Sequence, residues 1–95
     1  MVKITDKAVV ALKYILIQEN IENFFFRIGI EGDEIRGIGY AIEFVKTPDL
    51  NDEVKEINGL KFVINKTHKK YIENLTVDYY EDEEKHGIIF KKEKE

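Results

Sequence analysis

Side chains able to do chemistry are unevenly supplied in this chain. It has no cysteine and no serine, only two histidines (His68 and His86), and nineteen aspartates and glutamates. Without a sulfur donor there is no disulfide, thiolate nucleophile, zinc finger or four-thiolate cluster site. Without serine a Ser/His/Asp triad is impossible. Gly37-Ile38-Gly39 lacks the later glycine and the strand–turn–helix setting of a dinucleotide or phosphate loop. Asp33 with Glu34, and the run Glu81-Asp82-Glu83-Glu84, offer the oxygens a hard cation takes, but in no EF-hand spacing. A run of acids is ordinarily a solvated surface. Acid–base catalysis needs surroundings that push two carboxyl pKa values apart, and no motif here builds them. The expectation is a protein that is not an enzyme, with no catalytic residue, no metal ligand and no cofactor.

One segment stands out. Residues 32–39 hold three glycines, three charges and two isoleucines. Two readings of it stay open. It is either a surface turn whose Ile35 and Ile38 fold back onto a sheet, or a contact loop in which Ile35, Arg36, Gly37 and Ile38 meet another subunit or partner. Two isoleucines on a loop would otherwise be a solubility liability, and Arg36 suits a partner's carboxylate.

The surrounding elements follow from periodicity. Thr5 followed by Asp6 reads as a helix start. Val9, Leu12, Ile15 and Leu16 at helical spacing then predict a helix over residues 6–19. Residues 24–30 switch to a period of two, with Phe24, Phe26, Ile28 and Ile30 on one face. Residues 31–39 read as a loop, 40–45 as a second strand, and 46–49, with Pro48, as a turn. Residues 54–57 and 60–64 flank Asn58-Gly59, the pair a type I′ hairpin turn prefers. Residues 65–75 read as a second helix with Tyr71, Ile72 and Leu75 inward. Residues 77–80 and 87–90 are two further strands around a charged turn at 81–86. The expected fold class is mainly β (α+β), as one domain over residues 1–92 with a fraying tail at 93–95.

Composition narrows function by exclusion. Of 95 residues 43% are hydrophobic and 12% aromatic, enough for an ordinary core without staples. The net charge of −4, with both signs interspersed, argues against a nucleic-acid partner, which would call for a one-sided basic patch. The first twenty residues lack a basic n-region and an unbroken apolar run. No stretch approaches the roughly 20 apolar residues of a membrane span. A cytoplasmic protein without membrane contact is the expectation.

A resemblance sharpens this. The helix opening Ile4-Thr5-Asp6 is followed by Arg27-Ile28-Gly29-Ile30, and then by Gly37, Tyr40, Glu43, Phe44 and Val45. Asn58-Gly59, Tyr71, Val77-Asp78-Tyr79, Gly87 and Phe90 complete the series. In order and spacing, from about Lys3 to Phe90, the chain resembles the A-type iron–sulfur carriers, the HesB-like family. That resemblance implies a flattened barrel of two small mixed sheets with an N-terminal helix and a second short helix. It also implies dimers or larger oligomers that hold iron or an iron–sulfur cluster between subunits and pass it to apo-enzymes. Against the family pattern, Ile35 stands at the first cluster-binding cysteine, and residues 91–95, Lys-Lys-Glu-Lys-Glu, replace the C-terminal Cys-x-Cys. The soft anionic sulfur that cluster iron prefers is gone. The chain is therefore expected to be a non-catalytic interaction or scaffold protein of iron–sulfur cluster assembly, forming a homodimer or a hetero-oligomer with a cysteine-bearing relative. Two alternatives stand beside it. One is iron or cluster binding through carboxylates, histidines or a partner's thiols; the other is a small-molecule or peptide module reusing the fold.

Overall fold

The computed structural model describes residues 2–20 and 23–92. The expected tail at 93–95 lies outside the described residues. In chain order the elements are β1 (Lys3–Ile4), α1 (Asp6–Gln18), β2 (Phe25–Asp33), β3 (Gly37–Val45), β4 (Asp52–Ile57) and β5 (Leu60–Asn65). A 3-10 turn (Lys66–His68) leads into α2 (Lys69–Ile72), followed by β6 (Leu75–Glu81) and β7 (His86–Lys92). The protein is mostly β, with two sheets and two short helices. The chain divides into two compact units, Asn23–Glu73 and a second made from the two chain ends.

In the unit made from the ends, the sheet order is β1-β6-β7, with β1 parallel to β6 and β6 antiparallel to β7. Thr5 joins helix to sheet. Its hydroxyl oxygen accepts from the Ala8 N–H at 3.2 Å, capping α1, and its hydroxyl donates to Asp78 at 2.7 Å. Its backbone N–H donates to the Val77 carbonyl at 2.9 Å. The Thr5 hydroxyl, then the Tyr79 N–H and then Lys91, hold the Asp78 carboxyl below its ordinary 3.8. Val2, Ile4, Ala8, Val9, Leu12, Leu75 and Val77 are buried. The two-residue β1 carries no periodicity from which the sequence could announce it. The charged turn is tighter than expected: Asp82 caps it by accepting from the Glu84 and Lys85 N–H groups, each at 2.8 Å.

The other unit is a four-stranded sheet of order β3-β2-β5-β4. Two antiparallel hairpins, β2–β3 and β4–β5, join through a parallel pairing of β2 and β5 at Phe26↔Phe62 and Arg27↔Val63. Asn58 (φ 52°) and Gly59 (φ 84°) form the expected hairpin turn, where both central residues need positive φ. Phe26, Ile28, Leu60, Phe62, Val63, Ile64 and Ile72 are buried. The alternation read for residues 24–30 therefore faces Phe26 and Ile28 inward.

Two expectations need correction here. The loop expected over residues 31–39 is mostly strand: β2 runs to Asp33, β3 begins at Gly37, and only 34–36 form the turn. The glycines that suggested a loop serve a close approach within the ladder. Gly32 has φ +80°, and a Cβ there would lie 2.3 Å from the Gly37 carbonyl oxygen. The second helix, expected over 65–75, is a 3-10 turn plus the four residues of α2. Asn74 turns left-handed at φ 66° and ends any helix, so the buried Leu75 opens β6 instead.

Candidate functional site

The β2–β3 hairpin ends in a braced tip. Asp33 Oδ1 accepts from the N–H groups of Ile35 (3.0 Å) and Arg36 (2.7 Å), folding the turn over its own carboxylate, a pattern aspartate favours in turns. Arg36 Nε lies 3.7 Å from Asp33 Oδ2. From α2, the Tyr71 hydroxyl donates to Glu34, and Lys70 sits 3.9 Å from the same carboxylate and 4.8 Å from the Tyr71 ring centre. Tyr40 of β3 donates to the Tyr71 carbonyl at 2.8 Å, tying α2 to the sheet.

The bracing sets the turn backbone and leaves Ile35 as the apolar side chain outside. Ile35 is 96% exposed. Ile38, by contrast, is half-buried. Of the two isoleucines read as folding back, Ile38 packs on the sheet and Ile35 projects into solvent. Beneath the tip is an open hollow of about 580 Å³, lined by Ile30, Ile35, Ile38, His68 and Tyr71 with the Asp33–Glu34 corner. Arg36 lies at the tip itself, and Gly37 (φ +106°) starts β3.

Sequence reasoning found the tip and missed its braces. Tyr71 and Lys70 lie 37 and 36 positions from Glu34, and Tyr40 lies 31 from the Tyr71 carbonyl it holds, so no short spacing announces these contacts. Hydroxyl-bearing aromatics near the hairpin were the one available signal, since a part-buried tyrosine needs a partner for its O–H.

The other candidates are employed elsewhere. Asp33 and Glu34 are engaged in the tip, and Asp82 is held by its turn and by the Tyr80 hydroxyl. That last bond lowers the Asp82 carboxyl and raises the Tyr80 phenol from their ordinary values. Among the described residues, no three His, Asp or Glu side chains converge as a metal site requires. His68 borders the hollow, and His86 packs beside Tyr79 with ring centres 6.2 Å apart. Phe26 and Phe62, with ring centres 5.6 Å apart, fill core volume, and Phe44, 5.3 Å from Phe26, covers them from β3 while staying 41% exposed. No described helix is long and apolar enough to cross a membrane.

With this geometry in hand, kinship is decided by a profile match: the family described as iron–sulphur cluster biosynthesis matches residues 1–94. The chain belongs to that family. A protein of Aquifex aeolicus is 36% identical over 80 residues, covering 84% of this chain and 69% of that protein. Iron-sulfur assembly protein 1 of Schizosaccharomyces pombe is 26% identical over 90 residues, and there the chain spans about half (47%) of the relative's length. In fold, the chain is similar to a crystal structure of IscA with a [2Fe-2S] cluster, at a TM-score of 0.82 and 22% identity, covering 97% of this chain and 85% of that one. The tip does not fit an iron–sulfur cluster as a ligand set. Its projecting residue is a hydrocarbon, and the chain supplies no thiolate anywhere.

Proposed function

We propose that this family member is a non-catalytic interaction protein of iron–sulfur cluster assembly, working in the cytoplasm and docking through its hairpin tip onto a cysteine-bearing relative. One observation carries the reading: Ile35 is 96% exposed on a turn whose backbone is fixed by Asp33 and whose flank is fixed by Tyr71. A rigid apolar anchor costs little conformational entropy on binding, and burying an isoleucine contributes about 1.5–3 kcal/mol. Arg36, 86% exposed at its side chain, adds a fork for a partner carboxylate. In a chain without sulfur ligands, shape is what the tip has left to offer.

The test mixes the protein with a cysteine-bearing carrier of the family and follows the mass by size exclusion with light scattering. The wild type is expected to form a mixed complex, and Ile35→Asp to abolish it with unchanged thermal unfolding. Anaerobic incubation with iron and sulfide is expected to leave the isolated protein colourless. A stable brown product from the isolated chain, or no mixed complex at any concentration, would overturn the reading.

A further inference from the structure

Helix α1 packs on β6 and buries Ala8, Val9 and Leu12. The solvent face of such a helix is ordinarily polar. Here Val10, Tyr14 and Ile17, at spacings of four and three, lie 69%, 58% and 77% exposed, a second apolar stripe of the kind that marks an interaction surface. Val10 and Tyr14 also wall an open hollow of about 660 Å³ between α1 and β6, together with Ala11 and Tyr79. Both rings are set in advance. The Tyr14 hydroxyl accepts from Gln18 Nε2 at 2.8 Å, and Tyr79 rests beside His86 with ring centres 6.2 Å apart. The charged lining is Asp6, Lys7 and Glu81. Asp6 and Glu81 are exposed and make no hydrogen bond or ion pair through their carboxylates among the described residues. Lys7 is the one cation in the lining, which therefore carries one negative charge in excess.

We infer that this hollow docks an arginine side chain presented by a peptide segment of a partner protein. Each part of the lining matches a part of that side chain. Val10 and Ala11 suit the aliphatic stem, the tyrosine rings attract a guanidinium through their faces, and the two carboxylates accept its N–H groups. A guanidinium stacks and forks where an ammonium acts as a point charge, so arginine is preferred to lysine. A purely apolar segment laid here would bury Asp6 and Glu81 unpaired, which is costly. An anionic partner would meet the excess carboxylate and be repelled. In an extended segment residues two apart share a face, so leucines two positions from the arginine reach the exposed stripe beside the hollow. The hollow and the hairpin tip belong to different compact units, and this site stands whether or not the tip docks as proposed above.

The experiment titrates a capped peptide, acetyl-Leu-Gly-Arg-Gly-Leu-amide, into isotope-labelled protein and follows backbone amide shifts by NMR. Shifts are expected at residues 6–14 and 79–81 and not at the tip, residues 33–38. Asp6→Asn and Glu81→Gln should each weaken binding about two- to fivefold, the range of an exposed ion pair. Lys7→Gln should tighten it about twofold by removing the competing cation, a gain that mere damage to the start of the helix would not produce. Citrulline in place of the peptide's arginine keeps the shape, loses the charge, and should weaken binding about tenfold or more. Ile35→Asp should bind as the wild type does, which separates this site from the tip. No shifts at millimolar peptide, shifts centred elsewhere, equal binding of the citrulline peptide, or unchanged binding when Asp6→Asn and Glu81→Gln are combined would each overturn the inference. So would two other outcomes. Acetyl-arginine-amide binding as tightly as the peptide would make the ligand a small guanidinium compound. A Val10→Asp variant whose mass by light scattering differs from that of the wild type would make a second copy the occupant.

Discussion

Asp52 has a carboxylate withdrawn completely from solvent, and the cation beside it, Arg27, has a side chain 24% exposed. One carboxylate oxygen accepts from the Arg27 guanidinium and from the Asp49 N–H at 2.7 Å. The other, like Arg27 Nε, has no hydrogen-bond partner in the structure. A pair in this state contributes through its intactness more than through net attraction, since removing one member strands the other. Asp52→Asn is therefore expected to lower unfolding free energy by about 2–3 kcal/mol in urea titration, below the full buried-pair figure because Arg27 is partly solvated. Replacing both members, Arg27→Met with Asp52→Leu, should recover most of that loss; a double variant no better than the single would refute the account. Asp78 makes a different kind of prediction. Its pKa is lowered chiefly by the Thr5 hydroxyl, so the bond stabilises the fold above the ordinary carboxylate range and is lost as pH falls through the lowered value. Thr5→Val should leave a shallower loss of stability between about pH 5 and pH 2 in acid titrations followed by circular dichroism. An acid limb unchanged from wild type would argue against this linkage.

At the scale of elements, the β2–β3 hairpin depends on a glycine more than on its turn residues. Gly32→Ala places a Cβ 2.3 Å from the Gly37 carbonyl oxygen at a φ of +80°. It should cost about 1–3 kcal/mol and loosen the tip. Gly29→Ala, on the same strand with nothing within 4 Å of the added carbon, is the matched control and should be near neutral. Equal losses in the two variants would remove the special role of Gly32. These glycines also explain what the sequence made legible. Thr5 as a cap, Asn58-Gly59 as a hairpin turn and the alternation of Phe24, Phe26 and Ile28 are local signals, each acting within four residues, and each is seen in the structure. Gly32 and Gly37 act across the ladder on each other, so a linear reading took their density for a loop. The same holds for β1, whose two residues exist as a strand only through Thr76 and Val77, and for the Tyr71–Glu34 brace, which joins α2 to the hairpin. The position of Ile35 was legible; its exposure was a property of the folded turn.

For the whole molecule, the decisive quantity is a count of ligands. A cubane or rhombic iron–sulfur cluster is held by four protein ligands, usually thiolates, and this chain brings none. Ile35→Cys restores one thiolate per chain at the tip, while the lysines and glutamates at 91–95 leave the C-terminal pair unreplaced. One thiolate falls well short of the four ligands a cluster takes. Ile35→Cys is accordingly expected to emerge colourless from desalting after anaerobic reconstitution with iron and sulfide. Mixed with a cysteine-bearing carrier, the same variant meets the missing ligands on the partner, and a cluster that co-elutes with the mixed complex, separated by mass from the carrier's own, should form with Ile35→Cys and not with the wild type. Stable colour in the variant alone would mean that oxygen or nitrogen atoms of this chain complete the coordination.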